Sequence, residues 1–121
     1  MNNRSLGARG EDIAVKFLEQ KGYQILERNF ICKLGEIDLV ARDRGMCCFI
    51  EVKTRNSLQY GMPFEAVGYY KQRKLTLLAL SYLKYKFHQV DIPSRFDIVS
   101  IFIDRNGKEQ IQHLVNAFDR T

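Results

Sequence analysis

Two acids lie inside one short apolar run, Glu36 and Asp38 in "GEIDLVA", and an acid and a lysine lie inside the next, Glu51 and Lys53 in "FIEVKT". Two carboxylates, a hard cation and an amine together suit the hydrolysis of a phosphodiester. The ion binds the phosphate, acidifies an attacking water and offsets charge on the leaving oxygen, while the ammonium orients water or stabilises the crowded phosphorus. Oxygen-only ligands select Mg²⁺ or Mn²⁺ over zinc.

The chemistry requires the two runs to be neighbouring strands in one register. If Arg44 and Gly45 are the two central residues of the turn, Asp43 faces Met46, and the same register sets Asp38 opposite Glu51 and Glu36 opposite Lys53. Opposed Cβ atoms are about 4.5 to 5.5 Å apart, close enough for two carboxylates to share an ion. A three-residue loop would slip the register by one and send Glu51 to the other face. Glu51 and Lys53, two apart, project from the same face. Like charges opposed on a half-buried sheet repel unless a cation sits between them or one acid keeps its proton. A plain structural reading stays open at this point: a solvated or internally paired face, with Asp38 and Glu51 bonded to Lys53, Arg55 or Arg42.

The elements that must position these residues follow from periodicity. Leu6, Gly10, Ile13, Ala14, Phe17 and Leu18 recur at helical spacing from about Asn3 to Gln20, with Gly22 as the stop. "YQILERNFI", "GEIDLVAR" and "MCCFIEVKT" read as three strands, with turn signals at Arg28-Asn29 or Lys33 to Gly35, and at Asp43 to Gly45. A loop containing Asn56, Ser57, Gly61 and Pro63 leads to a helix from about Phe64 to Phe87, whose apolar side is Val67, Leu75, Leu78, Ala79, Tyr82 and Leu83. "RFDIVSIFID" is a fourth strand, and after Asn106-Gly107 "EQIQHLV" is a fifth, at an edge. The order α-β-β-β-α-β-β predicts an α/β chain of the α+β kind, one mixed sheet with helices packed on it.

The 121 residues suit a single domain spanning 1–121, and 45% apolar with 27% charged residues is the balance of a protein that folds in water. No apolar run reaches the roughly 20 residues of a membrane span, and the N-terminus has no export pattern, so the cytoplasm is the expected compartment. Cys32, Cys47 and Cys48 make an odd count, the last two on opposite faces of one strand, which argues against a disulfide framework. No CxxC occurs and His88 and His113 are far apart, which argues against structural zinc. A net charge of +5 favours contact with polyanions.

Taken together, "GEIDLVA" and "FIEVKTR", with "ARGEDIAVKFLEQKGYQILERNF" before them and "YGMPFEAV", "KQRKLTLLALSYL", "SRFDIVSI" and "NAF" after, resemble the YraN-like family of predicted endonucleases. That family belongs to the PD-(D/E)xK class and is similar to archaeal-type Holliday-junction resolvases. The resemblance spans nearly the whole chain and implies a restriction-endonuclease-like fold, a Mg²⁺ or Mn²⁺ cofactor, and DNA, branched or junction DNA included, as substrate. It makes Asp38 and Glu51 metal ligands, Lys53 the catalytic lysine and the Val52 carbonyl an extra ligand, and by analogy it implies a homodimer.

Glu11, with Ala14, Val15 and Leu18 at i+3, i+4 and i+7, sits at the margin of the buried helix face, where an acid needs a reason. The resemblance supplies one, because "RGE" matches a helix-one glutamate that reaches the metal; the alternative is an ordinary helix acid paired with Arg4 or Arg9. Asp12 is expected at the surface. Glu36 is assigned to holding Lys53, with direct metal ligation as the alternative. Lys71 and Gln72, which follow Tyr69 and Tyr70 at the start of helix two, are candidates for positioning phosphate or water; the alternative is a solvated basic face beside core tyrosines. "NFICKLGEID" lacks the arginine expected there, and Lys33 stands in; with Arg55 it completes the nucleic-acid contacts. Asp97 is read as structural, a buttress for Arg95 or the sheet, and His88 and His113 carry no assignment. The reading is therefore a metal-dependent endonuclease, with a non-catalytic nucleic-acid-binding or adaptor protein of the same fold as its rival.

Overall fold

The computed structural model describes residues 5–57 and 68–120. Its elements are α1 (Leu6–Gln20), β1 (Gln24–Cys32), β2 (Gly35–Asp43), β3 (Met46–Asn56), α2 (Tyr69–Phe87), β4 (Ser94–Ile103) and β5 (Glu109–Phe118). This is the expected α-β-β-β-α-β-β order. The strands form one mixed sheet in the order β1-β2-β3-β4-β5, antiparallel throughout except for β3 with β4. That parallel pair requires a crossover, which α2 lies on. The expected loop residues Gly61 and Pro63 and the helix positions Phe64 and Val67 lie outside the described residues.

The two helices cover opposite faces of the sheet. Ala14 and Leu18 of α1 pack with Leu39, Ala41, Cys48, Ile50, Val99 and Ile101, whereas Leu75, Leu78, Ala79, Tyr82 and Leu83 of α2 pack with Val40, Cys47, Phe49, Phe96 and Ile98. The adjacent Cys47 and Cys48 therefore point into different cores, as strand alternation demands. All three cysteines are free thiols, Cys32 half-buried and the other two buried. Burial pushes the Cys47 thiol up to about 11 and the Cys48 thiol up to about 12.

Local chemistry sets the element ends. Ser5 caps α1, its hydroxyl accepting from the Ala8 N–H at 3.1 Å, which starts the helix at Leu6, three residues after the expected Asn3. Arg44 and Gly45 both have positive φ, 52° and 81°, so the β2–β3 turn is the two-residue hairpin expected. The β1–β2 turn falls at Lys33 and Leu34, with Cys32 facing Gly35. Asn29, the other turn signal, sits inside β1 with a left-handed φ of 55°.

Asp97 is structural, and more heavily used than a buttress for one arginine. Its buried carboxylate accepts from Arg95 Nε at 3.0 Å, from the Asn116 N–H at 3.0 Å and from His113 Nε2 at 2.8 Å. Asn116, at φ 54°, lies in the stretch where the β4–β5 register shifts, so Asp97 satisfies a backbone donor that the ladder leaves over. Lys21 donates to His113 Nδ1 at 2.7 Å, which leaves the Nε2–H to donate to Asp97. Burial alone would raise the Asp97 pKa, but the bonds from His113, Asn116 and Arg95 outweigh it and hold the carboxyl below its ordinary value. His113, unassigned from sequence, is thus the link between α1, β4 and β5.

Helix α1 rests directly on β3. A Cβ added at Gly10 would lie 1.8 Å from Thr54 Oγ1 and 2.8 Å from Thr54 Cβ, so a hydrogen is all that fits there. Gly10→Ala should destabilise the chain by about 3 kcal/mol, the upper end of overpacking costs, through displacement of α1 from β3. Urea denaturation of the purified variant measures it, and a loss under about 0.5 kcal/mol would show that the helix does not sit this close.

Candidate metal centre

The site forms where the sheet loses its regularity. Partners on β2 and β3 run from Asp43↔Met46 to Leu39↔Ile50 in the expected register, and the ladder then ends. Beyond it Asp38 Oδ2 accepts from the Val52 N–H at 2.9 Å, so a side chain takes the donor that a ladder partner would use. Ile37 packs under α2 and Leu39 under α1, although residues two apart in a regular strand share a face, so β2 changes face across Asp38. On its other side, the β1–β2 partners step from Arg28↔Leu39 to Phe30↔Ile37 across the left-handed Asn29. The expected pairing of Asp38 with Glu51 and of Glu36 with Lys53 is therefore not formed as a ladder. Glu36 faces Ile31 of β1 instead.

The break gathers acids. Glu11, Glu36 and Asp38 each offer a carboxylate oxygen, and these oxygens lie within 4.8 Å of one another. Gly10 sets α1 against β3, so the next residue, Glu11, reaches this point from the helix. Glu36 and Asp38 come together as strand residues two apart. Glu36 therefore stands among the carboxylates, where the alternative of direct metal ligation would put it, and the period-two spacing was the signal for it. Three hard oxygen donors at this separation can close on one divalent ion, a donor set that suits Mg²⁺ or Mn²⁺ better than zinc.

Glu51 stands at the edge of this group. Its side chain is 14% exposed and pairs with the Lys71 ammonium of α2, while its charge still raises the Asp38 pKa. The β3–β4 ladder is unbroken from Cys47↔Ser94 to Asn56↔Ile103, so Glu51, Lys53 and Arg55 share one face of β3, all half-buried. Val52 presents its N–H to Asp38. Lys71 lies one and two turns before the buried Leu75 and Leu78, which aims it at the sheet. Gln72 is half-buried in the same turn, and Lys33 is exposed in the β1–β2 turn.

Sequence reasoning missed several groups here. Arg28 of β1 bonds Asp12 Oδ1 at 2.8 Å and stands 4.0 Å from Glu11 Oε1, so it, rather than Arg9, is the cation beside the helix acids. Arg4 lies outside the described residues. Asp12 is half-exposed and paired rather than simply solvated. Lys74 lies over Gly35, where a Cβ would meet its Cε at 3.1 Å, bringing a second lysine of α2, after Lys71, to the sheet. Tyr69 and Tyr70, core residues in the alternative reading of this stretch, are 72% and 85% exposed.

Comparison with known proteins finds a match between residues 10–101 and the model of an uncharacterised protein family, UPF0102. A UPF0102 protein of Pelobacter propionicus is 48% identical over 98% of this chain and 85% of its own length. One from Geobacter metallireducens is 49% identical over 98% of this chain and 96% of its own. One from Caldanaerobacter subterraneus is 42% identical over 98% of each. The match with the family model takes in Glu11, Glu36, Asp38, Glu51, Lys53 and Lys71.

Asp38 carries the pH response of the cluster. Burial raises its pKa, the Val52 N–H lowers it, and Glu51, Glu11 and Glu36 raise it further, to about 6. A carboxyl raised in the folded state contributes stability that is complete below its unfolded value near 4 and is lost as pH rises through about 6. Asp38→Asn should therefore stabilise the ion-free chain by on the order of 2 kcal/mol at pH 8 and by close to nothing at pH 4. Urea denaturation in chelator at the two pH values measures this, and equal effects at both would remove the charge explanation.

Proposed function

This chain belongs to the uncharacterised protein family UPF0102, and from that premise we propose that it is a divalent-metal-dependent endonuclease that hydrolyses DNA, branched DNA included. The observation that carries the reading is the convergence of Glu11, Glu36 and Asp38 at a break in the sheet, with Glu51 and Lys53 on the adjoining strand face. Asp38, Glu11 and Glu36 are the residues that would hold Mg²⁺ or Mn²⁺, joined by Glu51 once Lys71 leaves it and by the Val52 carbonyl. Such an ion supplies electrophilic stabilisation of the phosphate and a more acidic water.

The chain's own groups do the rest. A water oxygen forms a bond to phosphorus, one ester P–O bond breaks, and the departing oxygen takes a proton. Lys53, on the same strand face as Glu51, stabilises negative charge on the phosphate oxygens or orients the water. Lys71 neutralises Glu51 in the ion-free chain and turns to phosphate when substrate arrives, with Gln72, Lys33 and Arg55 as further contacts. Asp38 must be ionised to hold the ion, so binding of the ion releases its proton, and affinity for Mn²⁺ rises with pH up to about 6 and levels off above it.

The rival reading is a non-catalytic nucleic-acid-binding or adaptor protein, and the Lys71–Glu51 ion pair favours it, because a lysine already satisfies that acid. Cleavage of linear, flapped and four-way-junction DNA, and of RNA, with Mg²⁺ or Mn²⁺ separates the two. Wild type should cut DNA and Glu51→Ala should fall at least a hundredfold; activity that persists in pure Glu51→Ala protein would refute the site. Mn²⁺ should also raise the melting temperature of wild type and fail to do so for Asp38→Asn, and an unresponsive wild type would favour the adaptor. Lys71→Met, which removes a competing cation, should bind Mn²⁺ severalfold more tightly by calorimetry while binding DNA more weakly.

A further inference from the structure

Tyr69 and Tyr70 open α2 side by side and are 72% and 85% exposed, whereas Tyr23 and Tyr82 are buried in the two cores. Ile31 and Tyr85 are exposed to a similar degree, but Tyr69 and Tyr70 are two aromatics side by side, and their position singles them out. They directly precede Lys71, whose ammonium reaches Glu51, so they stand within one helical turn of a residue that touches the strand face beside the carboxylates. Arg73 and Lys74 follow in the same stretch, Lys74 over Gly35 and the start of β2, and the first turn of α2 carries no acid. A second apolar protein surface would have to bury these cations. A strand of nucleic acid would pair them with phosphates while its bases covered the rings.

We propose that Tyr69 and Tyr70 form a stacking platform for unpaired bases of single-stranded DNA, next to the metal centre. The proposal rests on the nucleic-acid reading above and deepens it. In a duplex the base faces are already stacked, so the rings have nothing to cover; in a single strand, a flap or the opened arm of a branch they are free. Base–aromatic stacking is tolerant of sequence, and Arg73 and Lys74 hold the backbone while the rings hold bases. The platform would select substrates with unpaired nucleotides beside the scissile bond, a preference that the acids and Lys53 do not themselves impose.

Binding is measured by fluorescence anisotropy with the full chain in EDTA, on a labelled single-stranded DNA, a blunt duplex of equal length, and a single-stranded RNA of the same sequence. The double variant Tyr69→Ala/Tyr70→Ala should lose about tenfold or more on single-stranded DNA and less than twofold on duplex, with the salt dependence unchanged. Tyr69→Phe/Tyr70→Phe should match wild type, and Lys74→Met should flatten the salt dependence on both DNAs. No binding of single-stranded DNA by wild type, an equal loss on both DNAs, phenylalanines as weak as alanines, or tighter binding of the RNA would each overturn the platform. Chelator removes cleavage from the assay, so the two readings fail separately. Tyrosine-dependent binding without any metal-dependent cutting sinks the nuclease, and cutting without tyrosine-dependent binding sinks the platform alone.

Discussion

The hydrogen bond from the Val52 N–H to the Asp38 carboxylate ends the β2–β3 ladder, and the candidate site depends on that ending. A continuous hairpin would keep Asp38 in the pleat, facing one neighbour. By taking over a backbone donor, the side chain lets β2 change face and places its charge where Glu11 arrives from α1 and Glu36 from the same strand. The chain uses the same device at Asp97, which serves the backbone of Asn116 at the shift in β5. The two acids differ in their company. Asp97 meets Arg95 and His113 and is held ionised, whereas Asp38 meets three acids and tends to keep its proton. One acid is compensated within the fold, and the other is left wanting a cation.

The rest of the architecture brings side chains to that break from both faces of the sheet. On one face Gly10 lets α1 touch Thr54, which fixes the reach of Glu11. On the other, the crossover helix α2 lays Lys71 on Glu51 and Lys74 over Gly35. The parallel β3–β4 ladder is the rigid member between them, with an unbroken register that keeps Glu51 and Lys53 on one side. The acids come from α1, β2 and β3 and the cations from β3 and α2, so no single element carries the whole charge balance.

Much of this was legible in the residues alone. Period and turn chemistry predicted all seven elements, the Arg44–Gly45 hairpin, the register as far as Leu39↔Ile50 and the opposed faces of Cys47 and Cys48. Beyond Leu39 the prediction failed because Asp38 competes with the backbone for a donor, an event that strand periodicity does not encode. His113 is far from Asp97 in sequence and meets it only through β4–β5 pairing. Arg28 reaches Asp12 through the return of β1 past α1. Core burial of Tyr69 and Tyr70 belonged to the alternative reading of the helix start, and both rings are exposed instead.

The three thiols behave differently once the sheet is formed. Cys47 and Cys48 sit in opposite cores with their thiols pushed far above neutrality, so neither forms an appreciable thiolate and neither can bridge to its neighbour. Cys32, half-buried at the end of β1 beside the exposed Lys33, is the sulfur that reagents can approach. Intact protein should therefore take up a single maleimide near the β1–β2 turn, two residues short of the strand that carries Glu36 and Asp38. The fold supplies its own attachment point for a spectroscopic reporter on the site, without any engineered cysteine.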